Sequence, residues 1–246
     1  MLQDKTSLLI IRPVPSGDIF AAAARNALGP DVDIVSSPIL QISQLANLPD
    51  LSNIRTLIFT SAHAVASFAA QTKRRDFKCY AVGSGTAFRA RELGFDALDG
   101  GGNAEKLVKR IKKDTPPEPC LYLRGRHVSR DIAKDLNSVG IEVQEAIVYE
   151  QEPKRLSPLA RGLLDSGTPI LLPLFSARSG QLFFDNHKAK GPLHVIAISE
   201  NVASVVPKVQ AKEIQVATKP DTDSVLAKVV QFFFTTKQLE GRPPAQ

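Results

Sequence analysis

Tryptophan is absent from this 246-residue chain, and aromatic residues of all kinds make up only 6% of it. Proteins that hold single-stranded nucleic acid interleave basic residues with rings on which bases stack. The scarcity of rings, and the dispersion of the basic residues, argue against a nucleic-acid partner. Cysteine is also rare. Cys79 and Cys120 lie in no CxxC spacing and each opens an apolar run, so the sequence predicts buried free thiols and neither a disulfide framework nor a zinc site. His63, His127, His187 and His194 are scattered, with no i, i+4 pair and no HExxH, and give metal catalysis no support. There is no G-x-S-x-G elbow and no Ser/His/Asp set, which disfavours a hydrolase. No uncharged apolar run reaches the roughly 18 residues a membrane helix needs. The start, MLQDKTSLLIIR, has no cationic segment ahead of a signal-type core. The expectation is a cytoplasmic protein without a membrane segment.

What is present is a long, ordinary globular composition with an excess of positive charge. Hydrophobic residues make up 43%, enough for one large domain or two smaller ones. The net charge of +6 and pI near 9.4 point to an anionic partner such as a phosphate or a polycarboxylate. Part of that charge, KRIKK at 109–113, has the spacing of a solvated helix face.

Short β-branched runs alternate with helical patterns: LLII, TLIFT, CYAV, CLYL, IEVQEAIVY, ILLPLF, HVIAI and EIQVAT. That alternation predicts an α/β class with parallel sheets flanked by helices. The chain also repeats itself. TLIFTSAHAVASFAA followed by CYAVGSGTAF matches PILLPLFSARSGQLFF followed by HVIAISENVASVV. The first serines of the paired pieces, Ser61 and Ser84, then Ser176 and Ser199, stand at the same separation in both. LLIIRPVPSGDIF likewise resembles LYLRGRHVSRDIA. Two related units follow. Repetition alone leaves open whether they lie in tandem or one is inserted in the other.

Hydroxyls and free N–H groups collect where these strands end, at FTSAH, VGSGT, FSAR, IAISE and ATKPD. In open α/β sheets ligands bind at that carboxyl edge. Arg12 and Arg124 end equivalent strands, and Arg178 and Lys219 follow others, so each is a candidate partner for a carboxylate and equally for an internal salt bridge. GSGTAF at 83–88 lacks the third glycine of a nucleotide loop. Asn103 reads as a helix cap, and KQLEGRPPAQ as a mobile tail. Tyr149, at the polar end of EAIVYEQEP, has the ordinary reading of a ring that packs while its hydroxyl stays wet.

FTSAHAV, AVGSGTA, GNAEKL, LYLRG, VGIEV with VYE, FSARSG, AISENVA and KPDTDSVLA, in that order, resemble the uroporphyrinogen-III synthase family over nearly the whole chain. The resemblance implies one domain inserted in the other: residues 1–36 with 154–246, an inserted domain at 44–144, and a two-stranded linker ladder at 37–43 and 145–153, with a cleft between the domains. It implies that the linear tetrapyrrole hydroxymethylbilane, an octacarboxylate, loses water and closes with inversion of ring D, without metal or cofactor. Tyr149 matches the family tyrosine proposed as proton donor. Arg12, Thr60, Ser61, His63, Ser84, Thr86, Arg124, Ser176, Arg178, Ser199 and Lys219 become candidate substrate contacts. His63 stands where the family often has Asn or Arg, and Lys219-Pro220-Asp221 where it often has Ser-Pro-Thr. Asp221 is expected to cap the last helix, since it would repel a polycarboxylate. A monomer is the expected state. A two-lobed anion-binding or tetrapyrrole-sensing protein without activity is the alternative.

Overall fold

The computed structural model describes residues 5–128 and 130–240. The chain opens with β1 (Ser7–Ile10), α1 (Ser16–Leu28) and β2 (Ile34–Ser36), and then β3 (Leu40–Gln44) leads into a second set of elements. These are β4 (Thr56–Phe59), α2 (Ala62–Gln71), β5 (Lys78–Ala81), α3 (Ser84–Glu92), β6 (Asp96–Asp99), α4 (Ala104–Asp114), β7 (Cys120–Gly125), α5 (Ile132–Asn137) and β8 (Val143–Pro153). The chain then resumes the first set with α6 (Pro158–Asp165), β9 (Ile170–Leu174), α7 (Ala177–Asn186), β10 (Leu193–Ala197), α8 (Glu200–Ala203), β11 (Glu213–Val216) and α9 (Thr222–Glu240). Of the expected tail at 237–246, residues 237–240 continue α9 and 241–246 lie outside the described residues.

Two compact units result, one from the described residues of Met1–Gln41 and Pro153–Gln246, the other from Ile42–Glu152. The first holds a five-stranded sheet in the order β11-β10-β9-β1-β2, every neighbouring pair parallel. The second is built on a sheet in the order β3-β8-β7-β4-β5-β6, parallel from β8 to β6. β3 is its edge strand and lies along β8.

The central strands β1, β4 and β9 are buried along their whole length because both faces of each sheet are covered there. Alternate residues of one strand enter different cores. Leu57 and Phe59 of β4 join Leu121 and Leu123 of β7 on one face, while Ile58, Tyr80, Cys120 and Tyr122 fill the other. In the first unit Leu9, Leu172 and Val195 lie on one face and Leu8, Ile10, Leu171 and Ile196 on the opposite one. Each such side chain, fully buried, contributes about 1.5–3 kcal/mol. Cys79 and Cys120 are free and buried, and burial pushes their thiols up to about 12 and about 11. Neither is a ready nucleophile at neutral pH.

Helix starts follow local chemistry. Asn103 accepts from the Lys106 N–H at 2.9 Å, and Asp221 from the Ser224 N–H at 2.8 Å, so both residues cap helices as the sequence predicts. Lys109, Arg110, Lys112 and Lys113 of α4 face solvent while Leu107, Val108 and Ile111 are buried. The repeat is imperfect in its helices. α3 runs for 9 residues, whereas its counterpart α8 stops after 4, ahead of Pro207, which disfavours helix in the residue before it. Among the described residues no helix is long and apolar enough to cross a membrane.

Two glycines of the first unit test the tightness of its loops. A Cβ on Gly191 would lie 2.3 Å from the Gly167 carbonyl oxygen and 2.4 Å from that of Thr168, both backbone atoms, whereas one on Gly162 within α6 meets nothing inside 4 Å. Thermal unfolding should therefore show Gly191→Ala destabilised by about 1–3 kcal/mol. Gly162→Ala should be stabilised by about 0.5–1 kcal/mol through helix propensity.

Candidate functional site

Parallel pairing sends the carboxyl ends of all strands in a sheet to one edge, and the sequence-predicted residues stand there in each unit. In the second unit Thr60 and Ser61 follow β4, Ser84 and Thr86 open α3 after β5, Arg124 ends β7, and Tyr149 lies on β8. In the first unit Arg12 follows β1, Ser176 and Arg178 follow β9, Ser199 follows β10, and Lys219 follows β11.

Tyr149 owes its direction to a break in the β7–β8 ladder. The register pairs Arg124 with Ile147 but Gly125 with Tyr149, so β8 carries one extra residue, Val148. Strict alternation would put Val148 and Tyr149 on opposite faces. The bulge turns both toward the core that holds Leu57, Phe59, Leu121 and Leu123. Its backbone groups remain satisfied from both sides: Leu45 N–H donates to the Val148 carbonyl at 2.9 Å, and Arg126 N–H to that of Tyr149 at 3.1 Å.

There Tyr149 is 7% exposed. Burial raises its phenol above the ordinary 10, and a hydrogen bond with Ser61 pulls the other way. At neutral pH Tyr149 therefore holds its proton. The His63 ring lies 5.8 Å from the Tyr149 ring, centroid to centroid, at an interplanar angle of 51°. Ser61 is positioned as the N-cap of α2, accepting from the His63 N–H at 3.1 Å. Ser61, His63 and Tyr149 thus form one cluster. Thr60 belongs to a neighbouring pair, its hydroxyl 3.1 Å from the phenol oxygen of Tyr122.

The other candidates of this unit stand apart from that cluster. Arg124 donates from Nε to Glu145 at 2.7 Å, so the cation expected to face a substrate carboxylate is engaged by the next strand. Ser84 is exposed and Thr86 half-buried in the first turn of α3, whose cap, Gly83, supplies no side chain.

In the first unit, Arg12 is half-buried with its guanidinium 4.2 Å above the Phe175 ring, and its Nη1 donates to Thr222 at 3.3 Å. No carboxylate forms an ion pair with it among the described residues, and burial lowers its pKa from the ordinary range. A positive charge held this way, satisfied by a ring and a hydroxyl, is suited to an incoming anion. Ser176 accepts from the Ser179 N–H at 3.1 Å and donates to the Ser179 hydroxyl at 2.8 Å, which makes it a cap as much as a contact. Arg178 is half-buried in the first turn of α7, Ser199 half-buried ahead of α8, and Lys219 exposed.

Sequence reasoning missed Tyr122, Phe175, Gly125 and Arg126, the last paired with Glu150 at 2.6 Å. Phe175 immediately precedes the singled-out Ser176, and Arg126 lies two residues after Arg124, so proximity to strand ends was the available signal.

Relatives set these residues in context. No curated protein matches the chain in sequence. Its fold is similar to that of a uroporphyrinogen-III synthetase from Helicobacter pylori 26695, with TM-score 0.65 and 18% identity over 92% of this chain and 99% of that one. It is also similar to a mutant uroporphyrinogen III synthase from the extremely thermophilic bacterium Thermus thermophilus, with TM-score 0.56 and 12% identity over 94% of this chain and 99% of the other. The family model described as Uroporphyrinogen-III synthase HemD matches residues 22–227, a span from α1 into α9 that leaves out β1 and Arg12 but takes in the other strand ends of both sheets, and the chain belongs to that family.

Proposed function

We propose that the chain converts hydroxymethylbilane to uroporphyrinogen III as a cyclising hydro-lyase, acting as a cytoplasmic monomer on a free tetrapyrrole. The family match over residues 22–227 carries this reading. The local chemistry supports it. Loss of the substrate hydroxyl as water needs one proton, and Tyr149 is a phenol kept protonated beside Ser61 and His63. The proton given up is recovered when the closing pyrrole ring loses its own. The azafulvene left behind is reactive enough to close unaided to the uninverted isomer, so the protein's main task is to impose orientation. Arg12 supplies charge for the substrate's carboxylates, with Thr60, Ser84, Thr86, Ser176, Ser199, Arg178 and Lys219 as further contacts. Arg124 joins them by exchanging Glu145 for a substrate carboxylate. The domains are read as 1–36 with 154–246 and 44–144, joined at 37–43 and 145–153.

Incubation with freshly made hydroxymethylbilane and separation of isomers should give the III isomer. The I isomer alone would identify a non-catalytic anion-binding or tetrapyrrole-sensing protein instead. Tyr149→Phe should slow III formation about a hundredfold with little change in thermal midpoint. Arg12→Ala should act chiefly on KM, which steady-state kinetics separates from kcat.

The phenols give a pH signature. Tyr80, Tyr122 and Tyr149 are all raised above the ordinary 10, with burial the largest cause in each. Because the folded values exceed the unfolded one, their contribution to stability is complete below about pH 10 and is lost as pH climbs through the folded values. With no tryptophan to overlap, tyrosinate absorbance should rise later in the native chain than in the urea-unfolded chain. Stability should fall over the same range.

A further inference from the structure

The phenol end of Tyr149 rests on a residue without a side chain. Gly125 and Tyr149 are register partners across the bulge. A Cβ built on Gly125 would come within 2.6 Å of Tyr149 Cζ, 2.9 Å of Cε2 and 2.9 Å of the hydroxyl oxygen. Three other crowded glycines differ in kind. At Gly17, Gly83 and Gly191 the nearest atoms are backbone, so a side chain there would break a turn. At Gly125 all three belong to the far end of one side chain, which can move while the strand stays in place. The backbone around it is fastened independently: Arg124 pairs with Glu145 at 2.7 Å and Arg126 with Glu150 at 2.6 Å, on either side of the bulge.

We propose that Gly125 is a positioning residue for ring closure: its missing side chain lets the Tyr149 phenol lie flat against β7 with its hydroxyl at the carboxyl edge beside Ser61. This rests on Tyr149 being the proton donor. A methyl group at 125 would push the hydroxyl by about 1 Å, a misplacement that can cost on the order of a hundredfold in rate. The ring itself remains able to pack against the core. The bulge and the glycine therefore act together. One turns Tyr149 toward this face, and the other sets its depth on it.

The test is Gly125→Ala, alone and combined with changes at Tyr149. The expected result is a fall in kcat of about tenfold to a hundredfold with KM within about twofold, and a tyrosinate titration in which one phenol changes. In the Tyr149→Phe background the added alanine should cost no further activity. Parent-like turnover and titration in Gly125→Ala would overturn the proposal, as would a full additional loss on top of Tyr149→Phe. If Gly125→Ala alone does not fold, Tyr149→Ala/Gly125→Ala should recover the thermal midpoint of Tyr149→Ala, and failure to recover it would place the clash elsewhere and overturn the idea. Full activity in Tyr149→Phe removes the donor assignment and this proposal with it. A slow Tyr149→Phe beside a parent-like Gly125→Ala removes the role of Gly125 alone.

Discussion

The parallel hydrogen-bond ladder is the constraint on which everything else depends. A strand can pair in parallel with its neighbour only if the chain returns across a face of the sheet, so consecutive parallel strands within each unit are joined through a helix and begin again at the same end. Carboxyl ends then accumulate on one edge. In both units that edge gathers serines, threonines and cations from segments far apart in sequence, Arg12 beside Thr222 and Ser61 beside Tyr149. Burying both faces of the sheet leaves the edges as the places where polar groups are both anchored and accessible.

Such an edge suits a reaction whose difficulty is orientation more than bond breaking. A strongly basic catalyst is not needed. What is needed is a rigid floor, a few hydroxyls, cations that are not all spoken for, and one group that keeps its proton. Arg12 illustrates how the fold keeps a cation available. Ring stacking on Phe175 and a hydrogen bond to Thr222 hold it without neutralising it. Arg124 illustrates the contrary arrangement, its charge already answered by Glu145. Two arginines that look equivalent in sequence are thus electrostatically different, because one strand has an acidic neighbour and the other does not.

Much of the architecture was legible because it rests on local rules. The runs LLII, TLIFT, CLYL and ILLPLF read as strands, since only a doubly covered strand is apolar on both faces. Asn103 and Asp221 read as caps, since their side chains reach only their own helix starts. The site was less legible because its contacts are settled by register and tertiary packing. Nothing in QEAIVYEQ shows that Val148 is an extra residue, as the bulge exists only relative to β7. Nor does the sequence say that Phe175 lies under Arg12, more than 160 positions away. The family resemblance rested on motifs at strand ends. It singles out Tyr149 without revealing the device that aims it.

The close approach of Gly125 and Tyr149 also bears on how such a chain can change over generations. Two positions that share one volume cannot drift independently. A residue with a side chain at 125 costs nothing further once the tyrosine has gone, and after that a returning tyrosine packs with its hydroxyl out of place. Loss at these two sites is therefore ordered and hard to reverse, a one-way step in descent written into the spacing between two strands.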